Sequence, residues 1–367
     1  MIKIGMASLG CPKNQVDAEI MLAKLKDKGY EITPYEQEAQ VIIVNTCGFI
    51  ESAKQESIDT ILDLSGLKKE GNLKCLIVTG CLAERYREQL KEQIPEIDTV
   101  VSIGRNDEIA DIIEQSLSGK TGECFGEKER LPLCGGRVLI NEPYYAYIKI
   151  AEGCNNRCTY CAIPSIRGGL RSRTVESVVE EANTLAENGV KELIVVAQDT
   201  TRYGEDIYGQ CRLAELLNEL CKIEKIHWIR LLYAYPDRLT DDIISVIKNQ
   251  PKIVKYIDLP IQHCCGDVLK RMNRPGDRES LEKTIEKLRK EIPDIALRTT
   301  LITGFPGETQ EDHEELMAFV DEMEFDRLGV FTYSQEEDTP AASMEDQIDE
   351  EVKKDRQEEL MELQQEV

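Results

Sequence analysis

Short apolar runs alternate with amphipathic stretches along almost the whole chain. Over its first third, Ile2–Leu9, Val41–Asn45, Lys74–Thr79 and Thr99–Ile103 read as strands, and Asn14–Lys28, Ile50–Leu64 and Glu84–Gln93 carry helical spacing. Strands separated by helices predict a parallel sheet covered on its faces, so residues 1–130 are expected to form a doubly wound α/β domain. Between Gln115 and Glu142 five glycines interrupt the rhythm, which predicts a loose hairpin and a linker over 131–143.

From Tyr144 the alternation resumes, with strands predicted at 144–151, 192–198, 228–235, 256–262, 297–304 and 327–333. The helix over Glu176–Asn188 illustrates the spacing: Val178, Ala182 and Leu185 share a face, Thr174 can cap it and Gly189 can end it. About six strand–helix units over 144–334 predict a partial (β/α)6 barrel, fewer than the eight units of a closed one. Residues 335–367 hold thirteen acidic and three basic residues, which predicts a solvated acidic helix with a thin stripe of Val352, Leu360 and Leu363.

Composition narrows the function. The 367 residues carry a net charge of −24, so the surface repels DNA, and RNA would need a local basic patch; a cationic protein is the easier partner. No apolar run approaches the roughly 20 residues of a membrane span, and no basic-then-apolar leader opens the sequence. Thirteen cysteines without a secretion signal predict reduced thiols, metal chemistry and a cytoplasmic location.

Three of those thiols stand as Cys154, Cys158 and Cys161 in a C-x3-C-x2-C pattern directly after the apolar run at Tyr144–Ile150, with Tyr160 beside the last. Three thiolates so close can hold three irons of a 4Fe–4S cube and leave the fourth open to a substrate. Structural zinc would want a fourth ligand, yet the histidines are His227, His263 and His313; c-type haem would want histidine where Ala162 stands. A second set comprises Cys11, Cys47 and Cys81, each at the carboxyl end of a predicted strand, 36 and 34 residues apart. Neighbouring strands lie roughly 5 Å apart, so these three can converge on another cube; alternatively, each is a small buried hydrophobe. Cys75 reads as core packing, and Cys124, Cys134, Cys264 and Cys265 receive no role.

The first triad, with an aromatic before its third cysteine, resembles the radical S-adenosylmethionine (SAM) superfamily. Both triads together resemble its methylthiotransferase branch over nearly the whole chain. Ser8–Asn14, Asn45–Ile50, Ala197–Thr200 and Leu259–His263 are similar to the type acting on ribosomal protein rather than the tRNA type. Ala18 stands where the family usually has serine, and the fifth strand, with Thr300 and Gly307, fits the superfamily pattern loosely.

The resemblance implies two 4Fe–4S clusters, with SAM bound at the iron left open by Cys154, Cys158 and Cys161. A 5′-deoxyadenosyl radical would activate the β-carbon of an aspartate in small-subunit ribosomal protein S12. The methylthio group would come from the cluster on Cys11, Cys47 and Cys81. Tyr160, Gln198, Asp199, Gly304 and Arg173 are the expected cofactor contacts. Arg167 and Arg171 are further candidates for the SAM carboxylate or the substrate, and His263 for a site role. An electron donor such as flavodoxin or ferredoxin is implied, and a C-terminal TRAM barrel would be expected to begin where the sequence stops. Two alternatives stay open: tRNA adenosine as substrate, and a non-catalytic iron–sulfur or zinc scaffold.

Overall fold

The computed structural model describes residues 2–366. Two compact units emerge: Met1–Pro143 with Ile163–Gly169, and Tyr144–Ala162 with Leu170–Val367. Most of the predicted barrel region lies in the second unit, but the seven residues of Ile163–Gly169 cluster with the first.

In the first unit, β1 (Lys3–Ser8), β2 (Glu31–Ile32), β3 (Val41–Thr46), β4 (Cys75–Gly80), β5 (Thr99–Val101) and β6 (Gly122–Cys124) form one sheet. Its order is β2-β1-β3-β4-β5-β6, with every pairing parallel. Every residue of β3 and β4 is buried, because helices cover both faces. Ile42, Val44, Leu76 and Val78 pack one way, against Ile61, Leu64 and Leu82. Val41, Ile43 and Ile77 pack the other way, against Met21, Leu25 and Ile113. Each such side chain contributes roughly 1.5–3 kcal/mol of burial. Strand order reverses between β1 and β3, and in open α/β sheets the crevice beyond the carboxyl ends at that point is where ligands bind.

Two sequence expectations change here. The glycine-rich stretch holds β6, an extra parallel edge strand, because Gly122–Cys124 pairs along Thr99–Val101. Residues 131–143 lie along the helix Pro12–Asp27 instead of spanning space. Val138 N–H donates to the Glu19 carbonyl (3.2 Å), Gln15 bonds Asn141 (2.6 Å), and Arg137 pairs with the buried Glu19 carboxylate.

In the second unit, β7 (Tyr145–Lys149), β8 (Glu192–Val196), β9 (Trp228–Leu231), β10 (Ile253–Gln262), β11 (Ala296–Thr303) and β12 (Arg327–Thr332) lie side by side in chain order. All five pairings are parallel, as in a partial barrel. The strand expected over 228–235 stops at Leu231, two residues before Tyr233 turns left-handed (φ 60°). The acidic helix Glu350–Glu366 is less solvated than its pattern implies. Leu360 is buried while Val352 stays exposed, and much of its docking is polar. Lys353 donates to the Tyr333 carbonyl (3.2 Å), Arg356 to Glu308 (2.8 Å), and Gln357 to the Val330 carbonyl (2.6 Å). Periodicity counts apolar positions and so misses docking carried by buried charge. Among the described residues no helix is long and apolar enough to cross a membrane.

Candidate functional site

The second unit presents Cys154, Cys158 and Cys161 on one loop beyond β7. Glu152 fixes the start of that loop. Its buried carboxylate takes Lys149 Nζ (2.8 Å), the Gly153 N–H (3.1 Å) and Gln198 Nε2 (2.5 Å). Further anchors follow residue by residue. Asn155 accepts from Leu170 N–H (3.0 Å), and Asn156 donates to Asp199 (2.7 Å) and accepts from Arg202 (2.9 Å). Thr159 bonds the carbonyls of Arg271 (2.8 Å) and Met272 (3.0 Å), and Asn273 holds the Arg157 carbonyl (2.8 Å). The loop's shape is therefore set by many independent contacts.

The thiols sit in a largely buried, partly cationic setting. Cys154 and Cys158 are buried, and burial pushes the Cys154 thiol up to about 11 against the opposing Asn156 N–H. Tyr235 Oη lies 3.5 Å from Cys158 Sγ, with the Arg274 guanidinium 4.2 Å over the Tyr235 ring. Tyr160 is half-buried, and burial around its hydroxyl, near Cys158 and Cys161, holds its pKa well above the usual phenol value. A cleft of about 280 Å³ opens beside Cys158 between Asn156, Arg157, Arg202, Tyr235 and Arg238. Asp199 is buried and accepts from Asn156, one of the residues lining the cleft. Burial raises its pKa, and hydrogen bonds from Thr201 and Asn156 oppose the rise.

In the first unit Cys11, Cys47 and Cys81 follow the carboxyl ends of β1, β3 and β4. Cys11 caps the helix Pro12–Asp27, and Cys81 is the first residue of Cys81–Gln93, so that helix starts three residues before its expected boundary. Two glycines let the three turns close. A Cβ at Gly10 (φ 85°) would meet Cys47 Sγ at 3.0 Å, and one at Gly48 would meet the Cys81 carbonyl carbon at 2.9 Å. Asn14 ties two of the turns together: its amide donates to the carbonyls of Leu9 (2.7 Å), Asn45 (3.3 Å) and Thr46 (3.2 Å). Burial pushes the Cys81 thiol up to about 12. The Arg167 charge opposes this, and Cys11 and Cys47 add to it, so the three sulfurs lie within electrostatic reach of one another. Burial also raises Cys47.

The remaining expected residues divide. Gln198 and Asp199 touch the loop or its anchors, and Tyr160 lies within it. Arg173 does not face the thiols; it is buried and held by Glu181 (2.5 Å), the Lys149 carbonyl (3.0 Å) and Ser177. Gly304 has φ 71° as a glycine can, yet the space its missing Cβ leaves is filled by Lys353, whose Cγ would be 2.3 Å away. Arg167 clusters with the first unit, where it lies beside Cys81. His263 is fully buried; its Nδ1 accepts from Cys265 N–H (3.0 Å), and burial drives its pKa down to about 3. Sequence reasoning missed Asn14, Glu152, Asn156, Tyr235 and Arg274. For the asparagines the only signal was their place directly beside cysteine turns.

The donors suit iron–sulfur cubes with three protein ligands. Among the described residues no three His, Cys, Asp or Glu side chains converge closely enough to hold a single metal ion. Gln198, whose amide donates to Glu152 at the start of the loop, keeps its buried Oε1 without a partner among the described residues, open to a ligand's hydroxyl or amine.

Residues 3–102 match the model of uncharacterized protein family UPF0004, and residues 148–320 match that of the radical SAM superfamily. A Lachnoclostridium phytofermentans protein named ribosomal protein uS12 methylthiotransferase RimO is 55% identical over 99% of this chain and 83% of its own length. Proteins of the same name from Clostridioides difficile and Geobacter sulfurreducens are 54% and 53% identical, over 100% and 99% of this chain and 83% and 81% of their own. Among solved structures, the radical SAM methyltransferase TsrM of Kitasatospora setae, with cobalamin and a [4Fe-4S] cluster bound, is similar in fold. It has a TM-score of 0.66 at 13% identity, covering 93% of this chain and 76% of its own. The cobalamin-dependent SAM radical enzyme OxsB is similar at a TM-score of 0.61 and 12% identity, over 99% and 56%.

Proposed function

The chain belongs to the ribosomal protein uS12 methylthiotransferase family of radical SAM enzymes, and on that premise we propose that it adds a methylthio group to the β-carbon of an aspartate in uS12. The observation that carries this reading is the second triad. A SAM-cleaving enzyme needs one set of three thiols, whereas sulfur insertion needs another place to hold sulfur, and Cys11, Cys47 and Cys81 supply it at the strand-order reversal. Cys154, Cys158 and Cys161 would hold a cluster that supplies an electron, received from an external donor, for SAM cleavage, and Cys11, Cys47 and Cys81 would hold one that supplies the sulfur.

The chain's own residues then position and shield. Glu152, Asn156 and Asp199 fix the loop so that its three sulfurs keep one orientation. Gln198 Oε1, a buried acceptor, would accept from the SAM sugar or amine, and Tyr160 would offer it a flat face. Burial of Cys154 and Cys158 limits the access of water to their sulfurs. Thiols raised by burial must give up protons on loading, so cluster assembly is coupled to proton release. The strongly acidic chain, at −24, suits a basic ribosomal protein as target. The enzyme works in the cytoplasm, where ribosomes are, with flavodoxin or ferredoxin as electron donor.

The test is direct. Anaerobically reconstituted protein is incubated with SAM, reductant and either uS12 or bulk tRNA, and both products are read by mass spectrometry. The methylthio group is expected on one aspartate of uS12 alone. Its appearance on tRNA adenosine, with uS12 unmodified, would overturn the proposal.

A further inference from the structure

Arg167 is buried at 1% exposure in the first unit, where nothing in its local sequence demands a charge. Its Nη1 pairs with Asp17 (2.6 Å), itself buried, and its Nη2 donates to Asn14 Oδ1 (2.9 Å). The guanidinium then turns two N–H groups on one sulfur: Nε lies 3.4 Å and Nη2 3.3 Å from Cys81 Sγ. A buried Arg–Asp pair that only stabilised the fold would have no need to aim two of its N–H groups at one thiol. Asn14, the residue that holds the Cys11 turn, is also the one that orients Arg167.

We propose that Arg167 is a positioning residue for the cluster held by Cys11, Cys47 and Cys81, fixing the Cys81 sulfur and raising the reduction potential of that cluster through two N–H···S hydrogen bonds. The inference rests on the reading of those cysteines as cluster ligands. Donors aimed at ligand sulfur stabilise the reduced, more negative state, so removing them lowers the potential. Because Asp17 neutralises Arg167, removing the carboxylate charge instead leaves a net cation beside the sulfur and shifts the potential the opposite way.

The test uses the full chain carrying Cys154, Cys158 and Cys161→Ala, so that one cluster remains to be read. Iron and sulfide are counted, and the midpoint is followed by EPR during a redox titration. Arg167→Gln is expected to retain iron and shift the one-electron equilibrium about tenfold toward the oxidised state, roughly 59 mV lower. Asp17→Asn is expected to shift it upward, and Arg167→Lys to shift it downward by less than Gln. Iron should also leave Arg167→Gln several-fold faster in the presence of a chelator. Should Arg167→Gln fail to load, the Lys variant must load and shift downward. An unchanged potential in an iron-loaded Arg167→Gln or Arg167→Lys variant overturns the inference, as do shifts of one sign in the Arg167 and Asp17 variants. Iron that survives the further change Cys11, Cys47 and Cys81→Ala would instead overturn the ligand assignment beneath it.

Discussion

The two thiol triads carry the same donors but are built in opposite ways. Cys154, Cys158 and Cys161 come from eight residues of one loop, pinned by at least five side chains that act independently. Cys11, Cys47 and Cys81 come from three strand ends, brought together by the parallel sheet, two close-approach glycines and one asparagine. A local site survives the loss of a single anchor, whereas a site assembled by the fold has hubs. That contrast separates what sequence can specify from what only tertiary structure supplies.

The largest expected effect comes from removing either triad. A cube holds four irons, so reconstituted protein should carry about eight, and alanine at any one triad should leave about four. An iron and sulfide assay checks this, and a variant that lost all its iron would show that the two sites are not independent.

Next is the hub. Asn14→Ala takes a donor from the carbonyls of Leu9, Asn45 and Thr46 and an acceptor from the Arg167 guanidinium, which should lower unfolding stability by about 3 kcal/mol in a denaturant melt. More than half of the iron at the strand-end triad should be lost, with the loop triad still full. The matched change in the second unit, Asn156→Ala, should leave iron content unaltered and slow SAM cleavage by about tenfold, near 1.4 kcal/mol. Equal iron loss in the two variants would erase the distinction between hub and distributed anchoring.

The smallest effect separates the units by pH. All three histidines fall in the second unit, and His263 is buried there with its pKa driven down to about 3, facing Glu308, Asp312, His313, Arg271 and Arg356. Its folded value lies below the unfolded value of roughly 6.5, so the unfolded chain binds the proton first and stability falls as pH drops below that value. The slope attributable to this residue approaches about 1.4 kcal/mol per pH unit and should vanish in His263→Gln. A pH series of denaturant melts resolves it, and equal acid slopes in the two proteins would contradict the assignment.

Much of this was legible in the sequence, for physical reasons. Apolar runs with no polar alternation, separated by helical stretches, specify parallel strands covered on both sides, and β3 and β4 are buried throughout. Thiols at equivalent strand ends announce a shared edge. Partners chosen by the fold were not legible. Arg167 follows the loop triad by six residues, yet it packs beside Cys81, and no local pattern distinguishes it from Arg173, which pairs with Glu181. Gly304 looked like space for a ligand but was space for Lys353 of a helix whose polar docking leaves a weak apolar stripe. The edge strand Gly122–Cys124 is three residues long and rich in neither β-branched nor aromatic side chains, so only its pairing reveals it.

The central claim is that one triad cleaves SAM and the other furnishes sulfur. Reconstituted Cys11→Ala protein, incubated with uS12, SAM and reductant, tests it when 5′-deoxyadenosine and modified uS12 are quantified in the same tube. The account predicts that 5′-deoxyadenosine continues to form while methylthio-uS12 is absent. Methylthio-uS12 at the wild-type yield would contradict it.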